Sequence, residues 1–523
     1  MQTANRVAKN TGILYAKMAI TVFISLYATR LVLLTLGSKD FGLFSVVGGA
    51  IALLGFLNAS MSSATQRFMS FAQGAGNSEK INKIFNMSVL LHLIIAFIIF
   101  LILEIAGYFF FNGILNIDPN RLGTAKLIYQ FMIISTLFSV ISVPYDALLN
   151  AHENMLFYAI LGIIESVLKL AIAISITYIT SDKLLYYGAM MAILSITLLI
   201  IYRLYCHRKY PESKIDLKRN YDKIILKEMY DFAGWSLLGS SSSMIAQYGQ
   251  GIVLNVFFGT IINSAQGIAN QVSGQLGAFA ATMLKALNPV IAKSEGAGNR
   301  KLMLQSAIIG SKISFFLLMF FFIPVLIEMP YVFKIWLKEV PGYAIIFCRL
   351  YLIRNLIDQM FVTLTTTISA VGNIKKYQIV TSILYILPLI ITYTLFSRGY
   401  PPYTLYVVFI VFSIIMALIN LYFSKIICDL SIMDYFKRVI IRCSISFLLV
   451  FIFALVPVFF IDVGIVRFLS IILMTILSYF LTIWFIGLSI DERKKIGNLI
   501  LSLINKLRIK NLTYKPFAHH ISI

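Results

Sequence analysis

Charge is what this sequence has least of. Asp, Glu, Lys and Arg make up 13% of its 523 residues, roughly half the share of a soluble globular protein, so an ordinary water-soluble domain is excluded. Acids are the scarcer sign, with 22 Asp and Glu against 44 Lys and Arg. The four cysteines, Cys206, Cys348, Cys428 and Cys443, are scattered and form no C-x-x-C pair, which excludes a disulfide framework. His92, His152 and His207 lie far apart and His519-His520 sit in the tail, so no metal spacing appears. No Walker A Lys-Ser/Thr follows a glycine turn, and no low-complexity tract is present. The first apolar run is too long for a signal h-region and lacks a convincing cleavage site. No loop on the far side is large enough for a catalytic domain. The expectation is a non-enzyme with no catalytic residues, no cofactor and no metal.

Apolar length is what the sequence has in abundance. It is 59% hydrophobic with mean hydropathy +0.87, and runs of about 20 apolar residues recur, each able to cross about 30 Å of hydrocarbon. A β-barrel would show short alternating segments instead. The fold class expected is an all-α polytopic membrane protein of about fourteen transmembrane helices. Six are placed at 12–36, 41–65, 84–111, 124–149, 155–180 and 184–205. Six more follow at 231–258, 262–291, 304–328, 343–371, 377–397 and 402–424, with a last pair near 439–461 and 464–487. A net charge of +22 would suggest nucleic acid in a soluble chain. Here the bases gather in loops that face anionic headgroups, and no nucleic-acid partner is expected.

A pair of hydrophobic segments occurs twice. Gly37 and Gly259 are 222 positions apart, and so are the turns Gly74-Ala75-Gly76-Asn77 and Gly296-Ala297-Gly298-Asn299. Gly55 meets Gly277, Ala59 meets Ala281, Ala64 meets Ala286 and Gln66 meets Asn288 without a gap. Six spans separate the copies, so both have one orientation: a parallel repeat, as in transporters with two similar bundles. The units expected are a six-helix lobe 1–205, a basic linker 206–228, a second lobe 229–425, two more helices in 426–490 and a basic tail 491–523. An amphipathic piece at 496–507 is expected on the membrane surface. Twenty-nine of the 44 Lys and Arg fall on the N-terminal side, eight opposite and seven within spans. The positive-inside rule then puts both termini in the cytoplasm.

Ionisable groups inside spans are costly and functional by default. Glu165 with Lys169 and Arg354 with Asp358 are spaced i, i+4 and are expected to pair. Glu104 and Lys312 lie near span ends and are expected to snorkel. Lys17 reads either as reaching the interface or as lining a cavity, Arg30 has no carboxylate nearby on its helix, and Lys285 stands where Ser63 stands in the first copy. Span eight carries Asn263, Gly267, Asn270, Gly274 and Gly277 on one face; span seven carries Ser240 to Ser243 and Gln250, and span two Asn58, Ser62 and Gln66. Helix packing by small and polar residues is the alternative, but their density suits an aqueous cavity. Excess cation there suits an anionic substrate, through arginine's forked donors above all. The substrate-binding candidates are Lys17, Arg30, Gln250, Asn270, Lys285 and Arg354. In the GAGN turns, glycine is expected to supply a positive φ and asparagine to cap the next helix.

Three stretches carry a family resemblance: NRVAKNTGILYAKM…SLYATRLVLLTLGSKDFGLFSVVGG at 5–49, SVPYDALLNAHENM at 142–155 and NSAQGIANQVSGQLGAFAATMLKALNPVIAKSEGAGN at 263–299. They resemble bacterial polysaccharide flippases, the oligosaccharide-flippase branch of the multidrug/oligosaccharidyl-lipid/polysaccharide exporter superfamily. The resemblance implies two six-helix bundles around a central cavity in the bacterial cytoplasmic membrane. It implies passage of an undecaprenyl-diphosphate-linked oligosaccharide (an O-antigen, capsule or exopolysaccharide unit) from inner to outer leaflet. Membrane lipids, a glycan polymerase and glycosyltransferases are the partners implied. By position, Arg30 and the polar faces of spans seven and eight match the cavity. The alternative is a multidrug or cation antiporter of the same superfamily.

Overall fold

The computed structural model describes residues 2–52, 55–114, 119–337 and 340–494. Side chains at 45–59, Asn58 and Ala59 among them, the amphipathic piece at 496–507 and the tail beyond 494 lie outside the described residues. Among the described residues every element is helical, because interior backbone in hydrocarbon must satisfy its own hydrogen bonds.

The first lobe comprises α1 (Gln2–Ala52), α2 (Gly55–Gly74), α3 (Ser78–Phe109), α4 (Leu122–Ala151), α5 (Met155–Ser175) and α6 (Lys183–Lys209). A short α7 (Leu217–Asn220) precedes α8 (Lys223–Gly296). Then come α9 (Arg300–Trp336), α10 (Ala344–Val371), α11 (Lys375–Ser397) and α12 (Thr404–Cys428). The turn α13 (Ile432–Tyr435) leads into α14 (Ile441–Phe460) and α15 (Ile465–Thr482). Both α1 and α8 are broken, at Gly37 (φ 75°) and Gly259 (φ 74°), a backbone conformation open to glycine. Counting each broken helix as two segments, and 38–74 as one crossing, gives fourteen crossing segments among the described residues, in line with the sequence reading. Ten stretches are long and apolar enough to cross a membrane by composition. The other four are 38–74, the two halves of α8, and α10, which are the segments whose polar residues stood out in the sequence.

The linker is more ordered than its charge suggests. α6 runs to Lys209 and α8 begins at Lys223, where Asp222 accepts from the Ile224 amide at 3.0 Å. Asn86 on α3 accepts from the Asp216 amide at 2.8 Å and donates to the Lys214 carbonyl at 3.1 Å, pinning the strand of chain between.

Two buried ion pairs fasten α14–α15 to the second lobe. Arg467 grips Glu328 of α9 bidentately, at 2.5 and 3.1 Å, and the Glu328 side chain is 1% exposed. At the other end Lys312 of α9 donates to Glu492 at 2.5 Å and to the Gly487 carbonyl at 3.3 Å. Lys312 therefore does not snorkel: it is 2% exposed, because a carboxylate 180 positions along the chain meets it inside. Removing one member of such a pair strands a buried charge, at a cost of about 3–5 kcal/mol. Arg467→Met should therefore lower the Tm of the purified protein markedly; an unchanged Tm would contradict the anchoring role.

Candidate functional site

The two GAGN turns behave as local rules require. Gly76 and Gly298 take φ 70° and 71°, and Asn77 and Asn299 accept from the Lys80 and Leu302 amides at 2.8 and 3.0 Å. The leading glycines do something the sequence reading missed. A Cβ at Gly74 would overlap the Lys293 carbonyl, and a Cβ at Gly296 would overlap the Phe71 carbonyl. Phe71 and Lys293 are themselves 222 positions apart. The ends of α2 and α8 thus cross backbone to backbone in two equivalent contacts, the self-complementary pattern of a two-fold interface.

Charged groups reinforce this crossing from both sides. Arg67 of α2 donates across the interface to the last carbonyls of α10: Ser369 at 3.1 Å, Ala370 at 3.0 Å and Val371 at 3.2 Å. A cation at a helix C-terminus meets the negative end of the helix dipole. The Phe68, Phe71 and Phe232 rings surround the guanidinium at 4.6, 5.2 and 5.3 Å. In the opposite direction Lys293 of α8 donates to Glu153 at 2.9 Å. Glu153 follows α4, is 1% exposed in its side chain and also pairs with Arg6 at 2.6 Å. Its φ of 54° is uncommon outside glycine, and Asn10 holds its carbonyl at 3.3 Å. Each lobe therefore sends one cation to the end of the other lobe's fourth helix. Beside Glu153, His152 meets Glu212 at 2.6 Å. That hydrogen bond holds the Glu212 carboxyl below its ordinary range. Its stabilisation is present at neutral pH and lost as pH falls through the carboxylate range.

Above the crossing lies a polar floor. Ser63, Gln66, Arg67, Asn288 and Thr366 line a cavity of about 140 Å³. Gln66 and Asn288, repeat equivalents in the sequence, both line it. Nearby, Lys17 of α1 and Lys285 of α8 both lie over the ring of Tyr158, at 4.2 and 3.6 Å. Asp146 stands 3.9 Å from Lys285. Lys17 thus rests on α5, and Lys285 spans the lobes to meet two residues of the first.

The other candidates divide. Arg30 and Asn270 are exposed. On the α8 face that carries Asn270, a Cβ at Gly267, Gly274 or Gly277 would meet nothing within 4 Å. That face fronts open space rather than a packed neighbour. Gln250 is buried and donates to its own helix at the Ala246 carbonyl, 3.1 Å away. Arg354 lies 3.7 Å from Asp358, in a separate cavity of about 350 Å³ with Ser243, Tyr385 and Asn420, and 4.9 Å above the Phe409 ring. Glu165 pairs with Lys169 at 2.6 Å as the spacing predicts. Glu104 accepts from Gln130 at 3.3 Å. Arg67, Glu153, Tyr158 and Asp146 were not singled out in the sequence; their partners lie across the interface, where spacing gives no signal. Among the described residues no group of His, Cys, Asp and Glu could hold a metal.

The MatE family model matches residues 15–175, within the first lobe. The chain is similar to an outward-facing multidrug resistance transporter of the MATE family, in the MOP superfamily. The TM-score is 0.70 at 14% identity, covering 81% of this chain and 95% of that one. It is similar to a MATE transporter in its straight conformation, with a TM-score of 0.68 at 15% identity, covering 81% and 96%. It is also similar to a MOP-superfamily transporter from Pyrococcus furiosus, described by the reverse polarity of its binding pocket. That TM-score is 0.68 at 15% identity, covering 81% and 96%. No curated protein sequence matches. The chain has the two-lobe helical fold of these membrane transporters.

A side chain forced into the crossing tests its role. Gly74→Leu adds bulk where backbone already touches backbone, an overpacking cost of about 1–3 kcal/mol or more. It should expose a cysteine at Ser63 to a membrane-impermeant thiol reagent applied on the GAGN side. Protection equal to that in the Ser63→Cys parent would contradict a crossing tight enough to shield the floor.

Proposed function

We propose that the protein is an exporter that works by alternating access, with the crossing of α2 and α8 as its gate. Both termini and the GAGN turns would face the cytoplasm, on the strength of the Lys and Arg distribution. The floor and the open polar face of α8 would then be reached from outside, a resting state closed on the cytoplasmic side.

Two cargo readings remain. The fold comparisons favour the multidrug exporter over the flippase, since the transporters of like fold are named for multidrug resistance. The charge around Tyr158 favours cargo with an anionic head. Two lysines lie over the Tyr158 ring, with Asp146 beside one of them, and a cationic drug would meet net repulsion there. Cation–π contact leaves the lysines oriented with their charge undiminished. The pair on Tyr158 is the observation that carries our reading: an amphiphile with a phosphate-bearing head and an apolar tail, of which a lipid-linked oligosaccharide is the example the sequence resemblance supplies. The head crosses in the cavity while the tail stays in lipid.

Reconstituted vesicles separate the two. An isoprenoid-linked diphosphate oligosaccharide should be translocated by the intact chain, and Lys285→Gln should slow it by about tenfold or more, the scale of one lost charge-assisted contact. Transport of cationic dyes with no movement of the diphosphate lipid would instead establish the multidrug reading.

A further inference from the structure

We propose that the groove between α3 and α4, at the end away from the GAGN turns, binds one phospholipid whose head group carries a primary ammonium. The groove has a volume of about 400 Å³ and a built floor. Tyr129 is buried there and donates to the Leu103 carbonyl at 2.5 Å. Gly107 makes room for its ring, since a Cβ would stand 2.5 Å from Tyr129 Cε1.

The rim carries one charge of each sign. Glu104 of α3 accepts a hydrogen bond from Gln130 at 3.3 Å, and Lys126 of α4 is exposed. Both line the groove, yet they form no ion pair with each other, and neither has an ion-pair partner among the described residues. A carboxylate among apolar side chains at membrane depth is costly, and here it faces the lipid side. Phe97 and Ile105, on the same helix, are 62% and 61% exposed, as a lipid-facing stripe requires. Tyr108 at the lip is 67% exposed, in the amphipathic position that aromatic rings favour at the interface.

A zwitterionic head group complements this rim. Its phosphate accepts from Lys126, and its ammonium donates to Glu104. A trimethylated ammonium cannot donate, and a glycerol head offers Glu104 no cation. A bound lipid would sit on the first lobe alone, away from the crossing, so this site is independent of the cargo reading.

The test is retention of lipid by the full chain in native mass spectrometry, with phosphatidylethanolamine, phosphatidylcholine and phosphatidylglycerol of identical acyl chains at equal concentrations. Phosphatidylethanolamine should be retained about fivefold or more over either of the others, a ratio within the range of one charge-assisted hydrogen bond. Glu104→Gln, which keeps the contact to Gln130, should reduce it to the level of phosphatidylcholine. Lys126→Gln, at an exposed position, should do likewise. Equal retention of the three lipids, a preference for phosphatidylglycerol, or a phosphatidylethanolamine preference that survives either substitution would overturn the proposal.

Discussion

Two backbone carbonyls press against two glycines where α2 and α8 cross, and the surrounding contacts between the lobes are built on that close approach. Gly74 against Lys293 and Gly296 against Phe71 are one contact made twice, and the 222-residue repeat is the reason. Lobes of like sequence related by a two-fold axis make self-complementary contacts near that axis. A glycine in one copy requires a glycine in the other. The polar floor follows from the same constraint: with the helix ends in contact below, Gln66 and Asn288 line one cavity above.

The contact between the lobes combines apolar packing with polar closure. Apolar side chains bridge the lobes as well: Met61, Phe68 and Met69 of α2 share one buried cluster with Leu287 and Ile291 of α8, and the Phe68 and Phe232 rings lie edge to face, 5.7 Å apart. Backbone contact, a guanidinium on three carbonyls and a carboxylate shared by two cations exchange more evenly with water. A gap of a few kcal/mol between states is what a ligand's differential affinity can overcome. The second lobe is made rigid by different means. Its added helices are anchored by Glu328–Arg467 and Lys312–Glu492, both deeply buried, so α14 and α15 travel with α9.

Most of the architecture was legible in the sequence, since apolar length and a gapless repeat report on membrane crossing and symmetry. The turns were legible because glycine and asparagine act locally. What escaped were pairings between distant positions. Arg67 reads as an ordinary loop cation, yet its acceptors are more than 300 positions away. Lys312 lies near a span end and reads as a snorkelling lysine until Glu492 is seen beside it. Gln250 reads as a cavity residue on a polar helix, whereas burial turns it back on its own backbone. Periodicity identifies the polar face of a helix but not what that face meets.

Motion at the crossing is the central claim, and a distance across it tests that claim most directly. The four cysteines are buried, so labels introduced at the exposed turn residues Ala75 and Ala297 can be read selectively. Pulsed electron-spin distance measurement in lipid vesicles should give a short and a long population whose ratio changes when cargo is supplied. A single distance that cargo leaves unchanged would contradict the account.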